Sequence, residues 1–89
     1  MPTISFTQNI QRHVDSPQVE VAGATVREAL DSMFATNPRV RGYVLDDQAA
    51  LRKHIIIFVD GRAIVDRVRL SDSVTGASVI YIFQALSGG

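Results

Sequence analysis

The stretch that decides the fold is Val79-Ile80-Tyr81-Ile82-Phe83, followed by Gln84-Ala85-Leu86-Ser87-Gly88-Gly89. Its first five residues are β-branched or aromatic, the composition of a buried strand. The strand delivers a tail that ends in two glycines, with no cap, charge cluster or terminal helix to hold it down. Chain ends usually fray unless tied down, so one reading is an incidental terminus. The other starts from glycine's missing Cβ, which makes Gly88-Gly89 narrow enough to thread a channel that rejects any side chain. Fully extended, Ala85 to Gly89 carries a terminal carboxylate roughly 17 Å beyond the body, within reach of a partner's active site. The expected organisation is a folded domain over residues 1–84 and a flexible tail over residues 85–89.

Working outward from that strand, composition narrows the function classes. The chain has 89 residues with 46% hydrophobic content, which suits one domain with a single core. Nine basic and nine acidic residues balance to a formal net charge of zero, so neither a nucleic-acid nor an anionic-membrane partner is indicated. Cysteine is absent, which removes disulfides, thiolate metal sites and a thiol nucleophile. Any sulfur chemistry must be supplied by another protein. Met1-Pro2-Thr3-Ile4-Ser5 has no basic or apolar leader character and no apolar run reaches membrane-spanning length, so the expected location is cytoplasmic.

Upstream of the strand, Thr3 to Thr7 alternates, with Ile4 and Phe6 on one face, and reads as a half-buried opening strand. Turn formers fill Gln8 to Pro17, and Val19 and Val21 then alternate with Gln18 and Glu20, which predicts a hairpin with a long loop. Thr25-Val26-Arg27-Glu28 is a capping box, in which the Thr hydroxyl accepts from the third helical N–H and Glu28 reaches back to the cap. Val26, Ala29, Leu30, Met33 and Phe34 then follow helical spacing, leaving Arg27, Asp31, Ser32 and Ala35 toward solvent, with Arg27 and Asp31 able to pair across one turn. Asn37-Pro38 stops the helix. Residues 39–53 read as irregular, with Tyr43-Val44-Leu45 at most a short helical turn. His54-Ile55-Ile56-Ile57-Phe58-Val59 runs into Asp60-Gly61, a strong two-residue hairpin signal, and out through Arg62-Ala63-Ile64-Val65. Its apolar run suits a strand covered on both faces or one that exposes a docking patch.

This order implies an α+β fold: a mixed sheet of about five strands curled around one main helix, in the β-grasp (ubiquitin-like) arrangement with first and last strands parallel and adjacent. The element order, the Asp60-Gly61 hairpin and the Gly88-Gly89 end after an aromatic-bearing strand resemble the ThiS/MoaD family of ubiquitin-like sulfur-carrier proteins. The length and the extra segment after the helix are closest in kind to the longer MoaD- or CysO-like members. The resemblance covers essentially the whole chain, and its most specific motif is the tail.

The resemblance implies a protein that is not itself an enzyme. A partner adenylating enzyme would use ATP to activate the Gly89 carboxylate, with Gly88 threading the channel, and the acyl-adenylate would become a thiocarboxylate. The thiocarboxylate would then serve a sulfur-accepting synthase. No cofactor bound to the chain itself is implied. Counting back from the tail, Ile80 and Ile82 should face the helix and Tyr81 and Phe83 should face outward, as an aromatic pair that docks the partner. Ala85, Leu86 and Ser87 would line the partner's channel. Two departures stand out: Thr75-Gly76-Ala77-Ser78 replaces an Asp-Gly-Asp-type turn, and Gln84-Ala85-Leu86-Ser87 lacks the prolines of many molybdopterin carriers. Two other functions suit the same residues: a protein modifier joined through Gly89, for which Lys53 is the only lysine available for chain building, and a β-grasp binding module with an inert tail. His13 and His54 lack a third ligand at metal spacing. Ser71, Asp72 and His54 lack the surroundings of a hydrolase, and Arg39, Arg41, Arg52 and Lys53 read as a solvated basic face.

Overall fold

The structure is a computed structural model that describes residues 1–6 and 18–84. Its elements are β1 (Thr3–Phe6), β2 (Gln18–Glu20), α1 (Val26–Thr36), α2 (Pro38–Val44), β3 (Ile55–Val59), β4 (Arg62–Ala63) and β5 (Val79–Gln84). They form one five-stranded sheet in the order β2-β1-β5-β3-β4. The last strand is therefore the middle one. β5 runs parallel to β1, with Thr3 opposite Val79 and Phe6 opposite Ile82. It runs antiparallel to β3, with Val59 opposite Ile80 and Ile55 opposite Gln84. This is the β-grasp topology expected from the sequence, a mixed sheet with its helices on one side.

Helix α1 buries the face read from its spacing: Val26, Ala29, Leu30, Met33 and Phe34. These side chains join Ile4, Phe6, Ile57, Ile80 and Ile82 in the core. Eleven residues make a marginal helix in isolation, so burial on the sheet supplies its stability. The capping box forms with a shift of one residue. Glu28 N–H donates to Thr25 Oγ1 at 3.2 Å, but Glu28 Oε1 accepts from Ala24 N–H at 2.8 Å, one residue before the cap. The two preceding helical N–H groups find carbonyls from a distant loop, Val26 to Asp72 and Arg27 to Leu70, each at 2.9 Å. Gly23 lets the segment leading into α1 pass close against the helix's own start, since a Cβ there would meet the Ala29 nitrogen at 2.6 Å.

Three expectations are corrected. Residues 39–53 are not wholly irregular, because Pro38 both ends α1 and occupies the first turn of α2, which buries Val40 and Val44. Arg27 does not point to solvent or pair with Asp31. Its guanidinium donates to the carbonyls of Ala49 at 2.6 Å and of Arg69 and Val68 at 3.2 Å, tying α1 to two loops. Ser5, on the opposite face of β1 from Ile4 and Phe6 in a strand expected to be half-buried, is buried as well, with Gln18 and Tyr81 as its partners in the ladder. Thr7, at the end of the expected first strand, lies outside the described residues, as does His13.

The Asp60–Gly61 hairpin has both central residues at positive φ, 52° and 85°, as a type I′ turn requires. The Asp60 carboxylate also accepts from Val79 N–H and from Ser78 Oγ, both at 3.0 Å, and so locks the beginning of β5. The Thr75–Ser78 turn closes on itself through Ser78 N–H to the Thr75 carbonyl and Thr75 N–H to Ser78 Oγ.

Candidate functional site

Strand parity sorts β5 as expected from its sequence. Ile80 and Ile82 are fully buried against the helix side, whereas Tyr81 is 42% exposed and Phe83 is half-buried on the opposite face. The partly exposed state of Phe83 has a local cause. Its ring meets Phe58 edge-on at a centroid distance of 5.3 Å and lies 5.9 Å from Tyr81. The outer half of the β3 apolar run thus becomes part of the same surface, since Ile56 pairs with Phe83 and Phe58 with Tyr81. The run falls between its two readings: Ile55 and Ile57 are buried, while the outward Ile56 and Phe58 are half-buried. Phe58 escapes a reading of the sequence because its role depends on the β3–β5 register, which spacing within either strand alone does not reveal.

The patch ends where β5 ends, at Gln84. Ala85, Leu86, Ser87, Gly88 and Gly89, the tail assigned to channel threading and activation, lie outside the described residues. Beside the strand's end lies the turn that precedes β3. There Asp46, Arg52, Lys53 and His54 line a shallow hollow of about 280 Å³. A larger hollow of about 480 Å³ includes Val59, Asp60, Ile64 and Asp72, toward the opposite end of β5 from Gln84.

The other polar residues singled out in the sequence have structural roles. Asp72 accepts from the Val65 and Asp66 N–H groups, and the Ser71 hydroxyl donates to Asp66 Oδ2 at 2.6 Å, so neither forms a set with His54. That Ser71 hydrogen bond, with support from the Arg69, Val68 and Ser71 backbone N–H groups, holds the Asp66 carboxyl well below the ordinary range, at about 2. Arg52 donates through Nε to the Gly42 carbonyl at 2.8 Å, so the basic middle segment is partly built into the fold. Among the described residues no cluster of His, Cys, Asp and Glu could hold a metal ion, and no helix is long and apolar enough to cross a membrane.

The fold defines a small ubiquitin-like β-grasp protein with an outward aromatic patch at the end of its central strand. The particular structures it resembles are of that class. A chain of the BexX/CysO complex of Amycolatopsis orientalis superposes with a TM-score of 0.87 at 22% identity, over 100% of both chains. SAMP1 of Haloferax volcanii gives 0.81 at 25% identity, over 99% of this chain and 98% of that one. CysO of Mycobacterium tuberculosis gives 0.84 at 16% identity, over 97% and 100%. No family model and no curated protein matches the chain. At the level of fold, the neighbours are those to which the sequence resemblance pointed.

Proposed function

We propose that this protein is a carrier whose Gly89 carboxylate is activated by ATP on a partner adenylating enzyme and converted to a thiocarboxylate for a sulfur-accepting synthase. The carboxylate oxygen attacks the α-phosphorus of ATP and pyrophosphate leaves. A sulfur nucleophile then takes the acyl carbon and AMP departs. The activation is needed because a free carboxylate is a poor acyl donor, and the chain has no thiol of its own. The single observation that carries this reading is the placement of Tyr81, Phe83 and Phe58 as one outward aromatic surface at the end of the strand that leads to Gly88-Gly89. Such a surface suits docking beside the tail, since aromatic anchors dominate interface energetics. The likeness to a chain crystallised in a complex with BexX supports a partner that receives the protein as a whole.

The test is intact-mass measurement after incubation with the cognate adenylating enzyme, ATP and a sulfide source. The expected product has one oxygen replaced by sulfur at Gly89, and its absence refutes the carrier reading. Gly88→Val should leave the melting temperature unchanged and abolish pyrophosphate release, because a branched side chain obstructs a narrow channel. A second reading, conjugation of Gly89 to other proteins, is favoured by the likeness to the small archaeal modifier protein 1 of Haloferax volcanii. Denaturing gels of native extract probed for this chain separate the two: higher-mass adducts support the modifier.

A further inference from the structure

The edges of the sheet are β2 and β4, and β4 borders the larger of the two hollows. Val59 pairs with Arg62 around the Asp60–Gly61 turn, Phe58 pairs with Ala63, and Ile64 N–H donates to the Ile57 carbonyl at 3.0 Å. Hydrogen-bonded positions alternate along an antiparallel pair, so the backbone groups of Arg62 and Ile64 turn toward β3 and those of Ala63 turn away from it. Ala63 is exposed, and no described residue takes its N–H or its carbonyl. The edge thus presents one donor and one acceptor to solvent. Parity places Val59, Arg62 and Ile64 on the helix side of the sheet, where they line the hollow of about 480 Å³ together with Val65, Asp60 and Asp72.

The charges around this hollow are unevenly committed. Asp60 accepts from Val79 N–H and Ser78 Oγ, and Asp72 accepts from the Val65 and Asp66 N–H groups. The Arg62 guanidinium has no hydrogen-bond or ion-pair partner among the described residues. Val65 stands on the rim with 89% of its surface exposed, and the bond from its N–H to Asp72 fixes its backbone. A ligand therefore meets an apolar side chain whose backbone is already ordered. We propose that the β4 edge binds an extended segment of a partner protein, which adds a strand at Ala63, sets a carboxylate against Arg62 and lays an apolar side chain against Ile64 and Val65. This site is independent of the reading of Gly89.

When a peptide adds to a sheet edge, main-chain hydrogen bonds supply affinity and alternate side chains supply specificity. Arg62 and Ile64 are two residues apart on one face, so the acidic and the apolar residue of the bound segment are also two apart. β4 has only two residues, and so short an edge holds a partner weakly through backbone alone. Recognition must then come from Arg62 and the hollow beside it. A second copy of the chain fits less well, because it brings another unclaimed Arg62 and, beside it, aspartates already held by their own backbone N–H groups.

The probe is the end-blocked peptide Thr-Glu-Thr-Val-Thr-Glu-Thr, whose valine has a glutamate two positions away on either side and so fits the edge in both strand directions. It is titrated into the full nitrogen-15-labelled chain and followed by NMR. The expected result is saturable shifts at the amides of Arg62, Ala63, Val65 and Ser73, with hydrogen exchange at Ala63 slowed by about tenfold at saturation. Arg62→Gln, and a peptide with glutamine for both glutamates, should each weaken binding by about threefold to fivefold, and the two changes together by no more than either alone. Ala63→Pro removes only the outward N–H, a change that an edge strand tolerates, and should melt as the wild type does while losing the peptide. The charge-pair arm decides the matter even where that variant fails to fold. Absence of saturable shifts at millimolar peptide, shifts centred on Tyr81 and Phe83 or on β2, or equal affinity for the glutamine peptide overturns the proposal. Shifts of the same amides with protein concentration alone would assign the edge to a second copy and overturn it as well.

Discussion

The two faces of β5 are built from nearly the same kinds of residue and have opposite roles. Ile80 and Ile82 are wholly buried under α1, while Tyr81 and Phe83, between and after them, lie on the outer face. Hydrophobicity alone does not separate them, because an aromatic residue scores as core on either side. Parity separates them, since successive side chains of a strand point to opposite faces. One face holds the fold together, and the other is a surface whose apolar character has no role in the core.

The largest test of that contrast is Ile82→Ala. A fully buried side chain at the middle of the sheet should cost about 2–5 kcal/mol of stability on truncation, measured by chemical denaturation. A loss under about 1 kcal/mol would mean that the faces are assigned the wrong way round. Phe83→Ala attacks the other face and should weaken binding of the proposed adenylating partner by about 2 kcal/mol or more, read by titration calorimetry. Its stability cost should stay near 1 kcal/mol, the scale of one aromatic pair. A stability loss as large as that of Ile82→Ala would erase the distinction. A double-mutant cycle between Phe58 and Phe83 sharpens it: a coupling of about 0.5–1.5 kcal/mol is expected if the edge-on contact persists in solution, and zero coupling would separate β3 from the patch.

The smallest effect is a control that touches neither face. Ser71→Ala removes the main cause of the depressed Asp66 pKa, which should rise from about 2 toward the ordinary range in an NMR titration. Because the folded-state value is the lower one, the stabilisation is full above about pH 4 and fades as pH falls toward about 2. The stability gap between variant and wild type should close over that interval. A gap that persists below it would show that Ser71 acts by some route other than Asp66.

Much of this architecture is legible in local sequence. The spacing of Val26, Ala29, Leu30, Met33 and Phe34, the Asp60-Gly61 turn and the parity of β5 each encode their geometry within a few residues. Helix α2 is not legible, because its seven residues include Gly42 and two β-branched valines and only Val40 and Val44 mark a buried face. Arg27 eludes local reading for a different reason. Its helical position faces away from the sheet, and the carbonyls that claim it belong to Ala49, Val68 and Arg69, residues that only the fold brings near. The candidate site divides in the same way: Tyr81 and Phe83 follow from counting along one strand, but Phe58 enters through the register between two. Asp60 shows how one residue hides a second role, since its fitness for positive φ accounts for its presence before its carboxylate is considered.

The order β2-β1-β5-β3-β4 also bears on how the molecule is made. Synthesis runs from the N-terminus, and the central strand is the last one to emerge. Until residue 79 has left the ribosome, β1 with β2 and β3 with β4 are two separate hairpins with no common neighbour, and α1 has only part of a sheet to cover. Isolated two-stranded hairpins are marginal in water, so the nascent chain stays open. A chain truncated before β5 therefore lacks the strand that joins the two hairpins, and with it the sheet.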